Sequence, residues 1–192
     1  MNKSIRLTLC SLSAVVAVGI YQPVAAQIGT ATPIPSSTAA MPAMGTVSEM
    51  DKMFFMKAAQ SGMLEVKAGE VAQKRASSDE VKSFATMMVN DHSEANTKLK
   101  SLAMQHKVML PATLDAEHAA KLKKLQNTKK GKSFDMAYVD AMVMGHEMTV
   151  ALFEKASSSA TAPDVKAFAT ETLPTLNQHL TMIKEIKGKM AP

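Results

Sequence analysis

Three histidines and one glutamate are the residues of this chain whose types and spacing could bind a metal ion. His92, His146 and His179 each fall in the apolar stripe of a different predicted helix, and Glu65 falls in the stripe of a fourth. A buried carboxylate must find a partner or take up a proton. Imidazole and carboxylate groups bind iron, manganese, zinc or copper, so these residues predict one transition-metal site. Histidines that serve only as hydrogen-bonded core residues are the alternative.

The four residues are predicted to lie at a common depth. Counted from predicted hairpin tips near Ser78 and Ala162, two lie thirteen and fourteen residues away and the others sixteen and seventeen. At the rise of an α-helix these counts correspond to about 20 Å and about 25 Å, which is near the middle of long helices. Met88 and Met142 lie one turn before two of the histidines and favour copper. Methionines that simply fill the core are the alternative.

The elements that must position this site are predicted to be two copies of one helical hairpin. The segment EVKSFAT at residues 80–86 reappears as DVKAFAT at residues 164–170, and Glu70 matches Glu154 at the same offset. An internal repeat of this kind indicates duplication. Two hairpins predict a four-helix bundle, whose interior can receive one site residue from each helix.

Capping residues mark the predicted helix starts, because a hydroxyl group followed three residues later by a carboxylate satisfies free backbone donors. This pattern predicts starts at Thr46–Glu49, Ser77–Glu80 and Thr161–Asp164. A short helix is predicted over residues 114–126, and the remaining long helix begins near Ser133. No segment of useful length alternates with period two. The predicted fold is therefore all-α, with two antiparallel hairpins joined by a crossover that contains a short fifth helix.

The N-terminus is predicted to be a secretory signal peptide over residues 1–26. Lys3 and Arg6 precede an apolar run that is too short for a comfortable membrane span, and the run ends before a small-residue cleavage site at Ala26. Residues 27–45 contain no charged residue and predict a flexible linker, followed by one domain over residues 46–190. We expect the chain to be exported to the periplasm or the outer surface of a bacterium and not to span the membrane.

Charge and cysteine content exclude several kinds of site. Loss of Lys3 and Arg6 lowers the formal charge from +5 to +3, which argues against general nucleic-acid binding. Cys10 lies in the segment that is removed, so the mature chain has no disulfide or thiolate site. A cluster of lysines could bind an anionic lipid or polymer of the cell envelope, with a solvated surface as the alternative; its members are Lys121, Lys123, Lys124, Lys129, Lys130 and Lys132.

Several motifs together resemble the bacterial family called domain of unknown function 4142. They include the segments GMLEV at 62–66, VKSFA at 81–85, MVNDH at 88–92, FDMAY at 134–138 and TLPTL at 172–176. The resemblance covers the mature domain. It implies an exported, ferritin-like helical bundle with no assigned activity, of a kind often labelled an outer-membrane protein.

Di-iron enzyme chemistry is not expected from this resemblance. Ferritin-like di-iron proteins carry Glu-x-x-His on two of their helices, and this sequence contains no Glu-x-x-His. A site for a single ion in metal handling or envelope stress is the remaining metal hypothesis. A non-catalytic module that binds an envelope partner, without metal, is the alternative function.

Overall fold

The computed structural model describes residues 47–190, which form five α-helices and contain no strand. The helices are α1 (Glu49–Arg75), α2 (Asp79–Gln105), α3 (Ala116–Asn127), α4 (Lys132–Ser159) and α5 (Pro163–Met190). The all-α prediction is confirmed. The predicted signal peptide and linker lie outside the described residues. None of the described helices combines the length and apolar character needed to cross a lipid bilayer.

The four long helices form two hairpins, α1–α2 and α4–α5, that pack side by side through α1 with α4 and α2 with α5. Contacts between helix ends define the directions. Lys189 at the end of α5 pairs with Glu80 at the start of α2 at 2.8 Å, and His106 after α2 contacts Asp164 at the start of α5 at 2.8 Å. Helices α2 and α5 are therefore antiparallel, and the two hairpin tips lie at opposite ends of the bundle formed by the described helices. The short helix α3 packs mainly on α1.

Each hairpin tip is held by a buried aspartate from the first turn of the other hairpin. Asp51 accepts hydrogen bonds from the backbone N–H groups of Thr161 and Ala162, at 3.1 Å and 3.3 Å. Asp135 accepts from the backbone N–H groups of Ser77 and Ser78, at 2.9 Å and 3.0 Å. The donors and acceptors of the two contacts are related by one offset along the chain, which supports the predicted duplication.

The predicted caps of α1 and α2 are wrong by two residues and by one residue, and the bonds of Asp135 explain the difference at α2. Ser48, and not Thr46, caps α1 in a reciprocal pair with Asp51. Ser78, and not Ser77, caps α2, because the N–H and hydroxyl groups of Ser77 are bound to Asp135. A hydroxyl group taken by another helix cannot cap its own.

The third predicted capping pair also differs from the structure. Thr161 donates its backbone N–H to Asp51, while the Asp164 carboxylate accepts from the N–H of Val165 and contacts His106. Helix α5 begins at Pro163, where a missing N–H has no cost in the first turn.

The core consists of two apolar clusters separated by polar residues. Along each long helix, the polar site residue falls in sequence between the members of one cluster and those of the other. The first cluster includes Met88, Phe84, Phe134, Tyr138, Met142 and Ile183, and the second includes Phe54, Phe55, Leu99, Phe153 and Leu176. Buried polar residues that interrupt an apolar core carry a desolvation cost unless they are paired or bind an ion.

Two glycines allow a prediction about helix packing. A Cβ at Gly69 would lie 2.8 Å from Val89 Cγ2 and 3.0 Å from the Ala85 carbonyl oxygen, whereas a Cβ at Gly145 would meet nothing within 4 Å. We expect Gly69→Ala to lower the free energy of unfolding by about 1–3 kcal/mol, because α1 and α2 must separate. Gly145→Ala should raise it by about 0.5–1 kcal/mol. Urea denaturation measures both, and a stabilising Gly69→Ala would contradict the close packing.

Candidate metal centre

Three buried histidines meet between the two apolar clusters. One ring nitrogen from each of His92, His146 and His179 lies within 4.8 Å of the corresponding nitrogens of the other two. The ring centroids are 5.3–5.6 Å apart, and each residue is at most 5 % exposed. Three separate helices, α2, α4 and α5, contribute them. The structure therefore brings together the three histidines that the helical periodicity placed in the interior.

Two of the rings are oriented by contacts at Nδ1. His92 Nδ1 lies 3.0 Å from Glu65 Oε2. His146 Nδ1 lies 3.0 Å from the carbonyl oxygen of Met142, one turn earlier on the same helix. Histidines that bind metal ions commonly donate the second ring N–H to a carboxylate or a backbone carbonyl, which fixes the tautomer and the ring direction. The His146 contact is of this kind. The His92–Glu65 contact is an ion pair, and neither Glu65 oxygen has a hydrogen-bond partner among the described residues.

The third ring is oriented by Asp91, a residue that the sequence reasoning missed. Asp91 Oδ2 lies 2.9 Å from His179 Nε2 and connects α2 to α5. The available signal was its position beside His92, since neighbouring residues on a helix point in different directions and can contact different partners. The opposite nitrogens of the three rings have no hydrogen-bond partner among the described residues; they are His92 Nε2, His146 Nε2 and His179 Nδ1.

Glu65 faces the Nδ1 atoms of two of these rings. Its carboxylate is 3 % exposed and is 3.0 Å from His92 Nδ1 and 3.8 Å from His146 Nδ1. The nitrogens without partners on those rings are the Nε2 atoms. In this arrangement Glu65 forms an ion pair with His92, while neither of its oxygens has a hydrogen-bond partner among the described residues. Its predicted role as a direct metal ligand stays a prediction.

Packing fixes the rings from the apolar side. The Phe84 ring meets the rings of His146 and His179 nearly edge-on, with centroids 6.4 Å and 6.3 Å apart. Met88 and Met142 are buried members of the adjacent apolar cluster. Both methionines thus have a packing role, which is the alternative to the predicted preference for copper.

Electrostatics divide the site into a charged pair and two neutral rings. Burial opposes the charge of Glu65, but the adjacent charge of His92, with smaller effects of His146 and His179, lowers the pKa of Glu65. Burial also opposes the charge of His92, and here the carboxylate prevails and raises the pKa of His92. Burial lowers the pKa values of His146 and His179. Two imidazoles are therefore neutral near pH 7, the form that binds a metal ion.

These pKa shifts predict how the stability of the metal-free protein depends on pH. Below the ordinary pKa of about 6.5, the unfolded chain binds protons at His146 and His179, whereas the folded state leaves these side chains neutral. Stability should fall on acidification from pH 6.5 by up to about 1.4 kcal/mol per pH unit for each residue. His92 acts in the opposite sense. Its stabilising effect is complete below about pH 6.5 and is lost as the pH rises through its raised pKa.

Urea denaturation between pH 5 and pH 8, with a chelator present, tests this dependence. The contribution of Glu65 to the free energy of unfolding stays complete above its ordinary pKa of 4.5. Asp91 is the other carboxylate that faces the rings. His146→Gln should give a shallower loss of stability on acidification than the wild-type protein. Equal stability at pH 6.5 and pH 5 would contradict the neutral state of the two rings.

The predicted lysine cluster lies on the surface. Lys121, Lys123 and Lys124 are on α3, and all six lysines of the cluster are exposed. The described contacts show Lys121 paired with Glu117 at 2.7 Å. This placement agrees with either an anionic partner or a solvated surface, the two alternatives from the sequence.

The fold is similar to those of two solved DUF305 proteins. A DUF305 fragment from Deinococcus radiodurans superimposes with a TM-score of 0.66 at 14% identity, covering 74% of this chain and 98% of that one. A DUF305 protein from Streptomyces coelicolor, described as a candidate secreted protein, superimposes with a TM-score of 0.58 at 15% identity, covering 73% and 92%. At these identities the likeness concerns the fold alone. No curated protein matches the chain. The family model described as "Domain of unknown function (DUF4142)" matches residues 36–186, and the chain therefore belongs to this family.

Proposed function

We propose that this protein binds one transition-metal ion through His92, His146 and His179, inside a ferritin-like four-helix bundle. The supporting observation is that the two nitrogens of each ring have different surroundings. One nitrogen of each ring lies 2.9–3.0 Å from a carboxylate or carbonyl oxygen, and the other nitrogen has no partner among the described residues. One nitrogen of each ring also lies within 4.8 Å of a nitrogen of each of the other two. A buried polar atom without a partner is costly, and a bound cation would remove that cost at all three atoms.

The donor set narrows the choice of metal. Three imidazoles without a thiolate suit zinc, copper or iron better than magnesium or calcium, which prefer oxygen ligands. Three protein ligands leave a coordination position open in a tetrahedral site. Among divalent ions the general affinity order places copper above zinc and both above iron and manganese. We therefore use Zn²⁺ and Cu²⁺ as the probe ions.

The proposed role is metal handling in the bacterial envelope, without enzymatic turnover. The basic and apolar N-terminal segment supports export, as does the description of the Streptomyces coelicolor structure as a candidate secreted protein. The absence of Glu-x-x-His from the sequence argues against a di-iron site. Sequestration or delivery of a single ion is the function that fits these features.

A second candidate function is a non-catalytic module that binds an anionic envelope partner. The six exposed lysines around α3 support it. In that case the histidines would serve only the packing of the core, and three buried nitrogens would stay without partners.

Metal analysis of the mature protein, produced without a histidine tag, separates the two functions. After equilibration with Zn²⁺ or Cu²⁺ and removal of free ions, mass spectrometry should find one ion per chain in the wild-type protein and none in His92→Ala. His118→Ala, which changes a histidine outside the cluster, should retain the ion. Absence of bound metal in the wild-type protein between pH 6 and pH 8 would overturn the proposal and favour the second function.

A further inference from the structure

A cavity of about 510 Å³ lies between α3 and the face formed by α1 and α4. Its walls are mainly apolar and include Leu64 from α1, Leu125 from α3, and Ala141, Met144 and Met148 from α4. The volume lies within the range of about 300–1,000 Å³ that is typical of ligand pockets. Its size and lining fit an apolar chain rather than an ion alone.

Helix α3, which forms one wall of the cavity, is fastened to α1 near both of its ends. Near its start, the Gln60 side chain donates to the Thr113 carbonyl at 3.1 Å and accepts from the Asp115 N–H at 3.0 Å. Beyond its end, the Arg75 side chain donates to the Thr128 carbonyl. Leu125 is the buried residue that α3 contributes to the core. A site formed in advance loses little free energy to ordering when a ligand enters.

One lysine at this cavity has an uncompensated charge. Lys121 pairs with Glu117, His118 pairs with Asp115, and the Asp140 carboxylate pairs with Lys187. Among the described contacts Lys124, which also lines the cavity, takes part in no ion pair. An anionic group placed here would meet a free ammonium group beside an apolar cavity.

We propose that this cavity binds a medium-chain fatty acid, with the acyl chain among the apolar residues and the carboxylate at Lys124. Burial of the chain supplies the main driving force, and the ammonium group selects an anionic head. Glu65, a buried carboxylate in the cavity wall, disfavours the reverse orientation because like charges repel. The inference does not rest on metal binding, since none of the three histidines of the cluster lines this cavity.

Decanoate, used below its micelle concentration and with a chelator present, is the probe for isothermal titration calorimetry. The wild-type protein should bind one decanoate per chain. Gly145 lines the cavity, and a Cβ there would meet nothing within 4 Å, so Gly145→Leu should fill the space without disturbing the helix. We expect at least a tenfold loss of affinity. Gly188→Leu makes the same change at another open position of a long helix and should bind like the wild-type protein.

Charge recognition needs its own pair of variants. Lys124→Glu should weaken decanoate binding at least tenfold, whereas Lys123→Glu, an equal change beside it that does not line the cavity, should leave binding unchanged. 1-Decanol carries the same chain without the charge and should bind at least tenfold more weakly. Equal binding of decanol, equal binding by Gly145→Leu, or no binding by the wild-type protein would each overturn the proposal. Metal content measured on the same variants keeps this outcome separate from the proposed metal function.

Discussion

His146→Gln is expected to weaken Zn²⁺ binding by about a hundredfold or more compared with the wild-type protein. Loss of a residue that only orients a ligand costs less, roughly 10–100-fold. His146 is fully buried, its Nδ1 is bonded to the Met142 carbonyl, and its Nε2 has no partner among the described residues. The substitution removes one of three proposed nitrogen ligands from a site whose remaining positions are fixed by packing. Glutamine retains a polar side chain of related size, which limits the disturbance of the core.

Competition with a chelator of known affinity measures this effect at constant pH. His118→Gln is the matched control, because His118 is bound to Asp115 on the surface helix and is not part of the cluster. It should bind Zn²⁺ as tightly as the wild-type protein. Unchanged affinity in His146→Gln would contradict the proposed centre.

The residues that orient the rings should give a smaller, graded loss. Asp91→Asn keeps the shape of the side chain but removes the charge that faces His179 Nε2, and we expect a loss of about 10–100-fold. Glu65→Gln tests the carboxylate beside His92 in the same way. A loss as large as that of His146→Gln would identify Glu65 as a ligand, while a loss in the smaller range would identify it as a positioning residue.

The second large effect concerns stability and the buried aspartates at the hairpin tips. Asp135→Ala is expected to lower the free energy of unfolding by about 2–5 kcal/mol, from two N–H donors that lose their acceptor. The Asp135 carboxylate, 2 % exposed, accepts from the backbone N–H groups of Ser77 and Ser78. Its removal leaves partly buried donors without an acceptor, and bonds to a charged acceptor are among the stronger protein hydrogen bonds.

Asp51→Ala should have an effect of similar size, because Asp51 makes the equivalent bonds to Thr161 and Ala162. Asp140→Ala is the control on the same helix as Asp135. Its ion pair with Lys187 is exposed on both sides, so we expect a change of about 0–1 kcal/mol. Urea denaturation of the three variants gives the comparison. Losses below about 1 kcal/mol for both buried aspartates would refute their role in joining the hairpins.

The inward faces of the helices could be predicted from the spacing of apolar residues, because a residue's place in the 3.6-residue repeat determines which side of the helix it occupies. His92, His146 and His179 were predicted to face inward on that basis, and all three are buried. The short helix predicted over residues 114–126 is observed as Ala116–Asn127. The capping residues were predicted less well. At Ser77 the hydroxyl group binds Asp135 of the opposite hairpin instead of capping its own helix.

By itself the sequence determined the helical content, the repeat and the inward direction of the site residues, all of which follow from local spacing along one chain. Only the tertiary structure decided which groups meet across helices. It showed Asp91 facing His179, Asp135 facing the tip at Ser77, and a cavity beneath α3. Such contacts depend on the relative positions and rotations of separate helices. Spacing within one helix cannot define those positions, because they result from the packing of all the helices together.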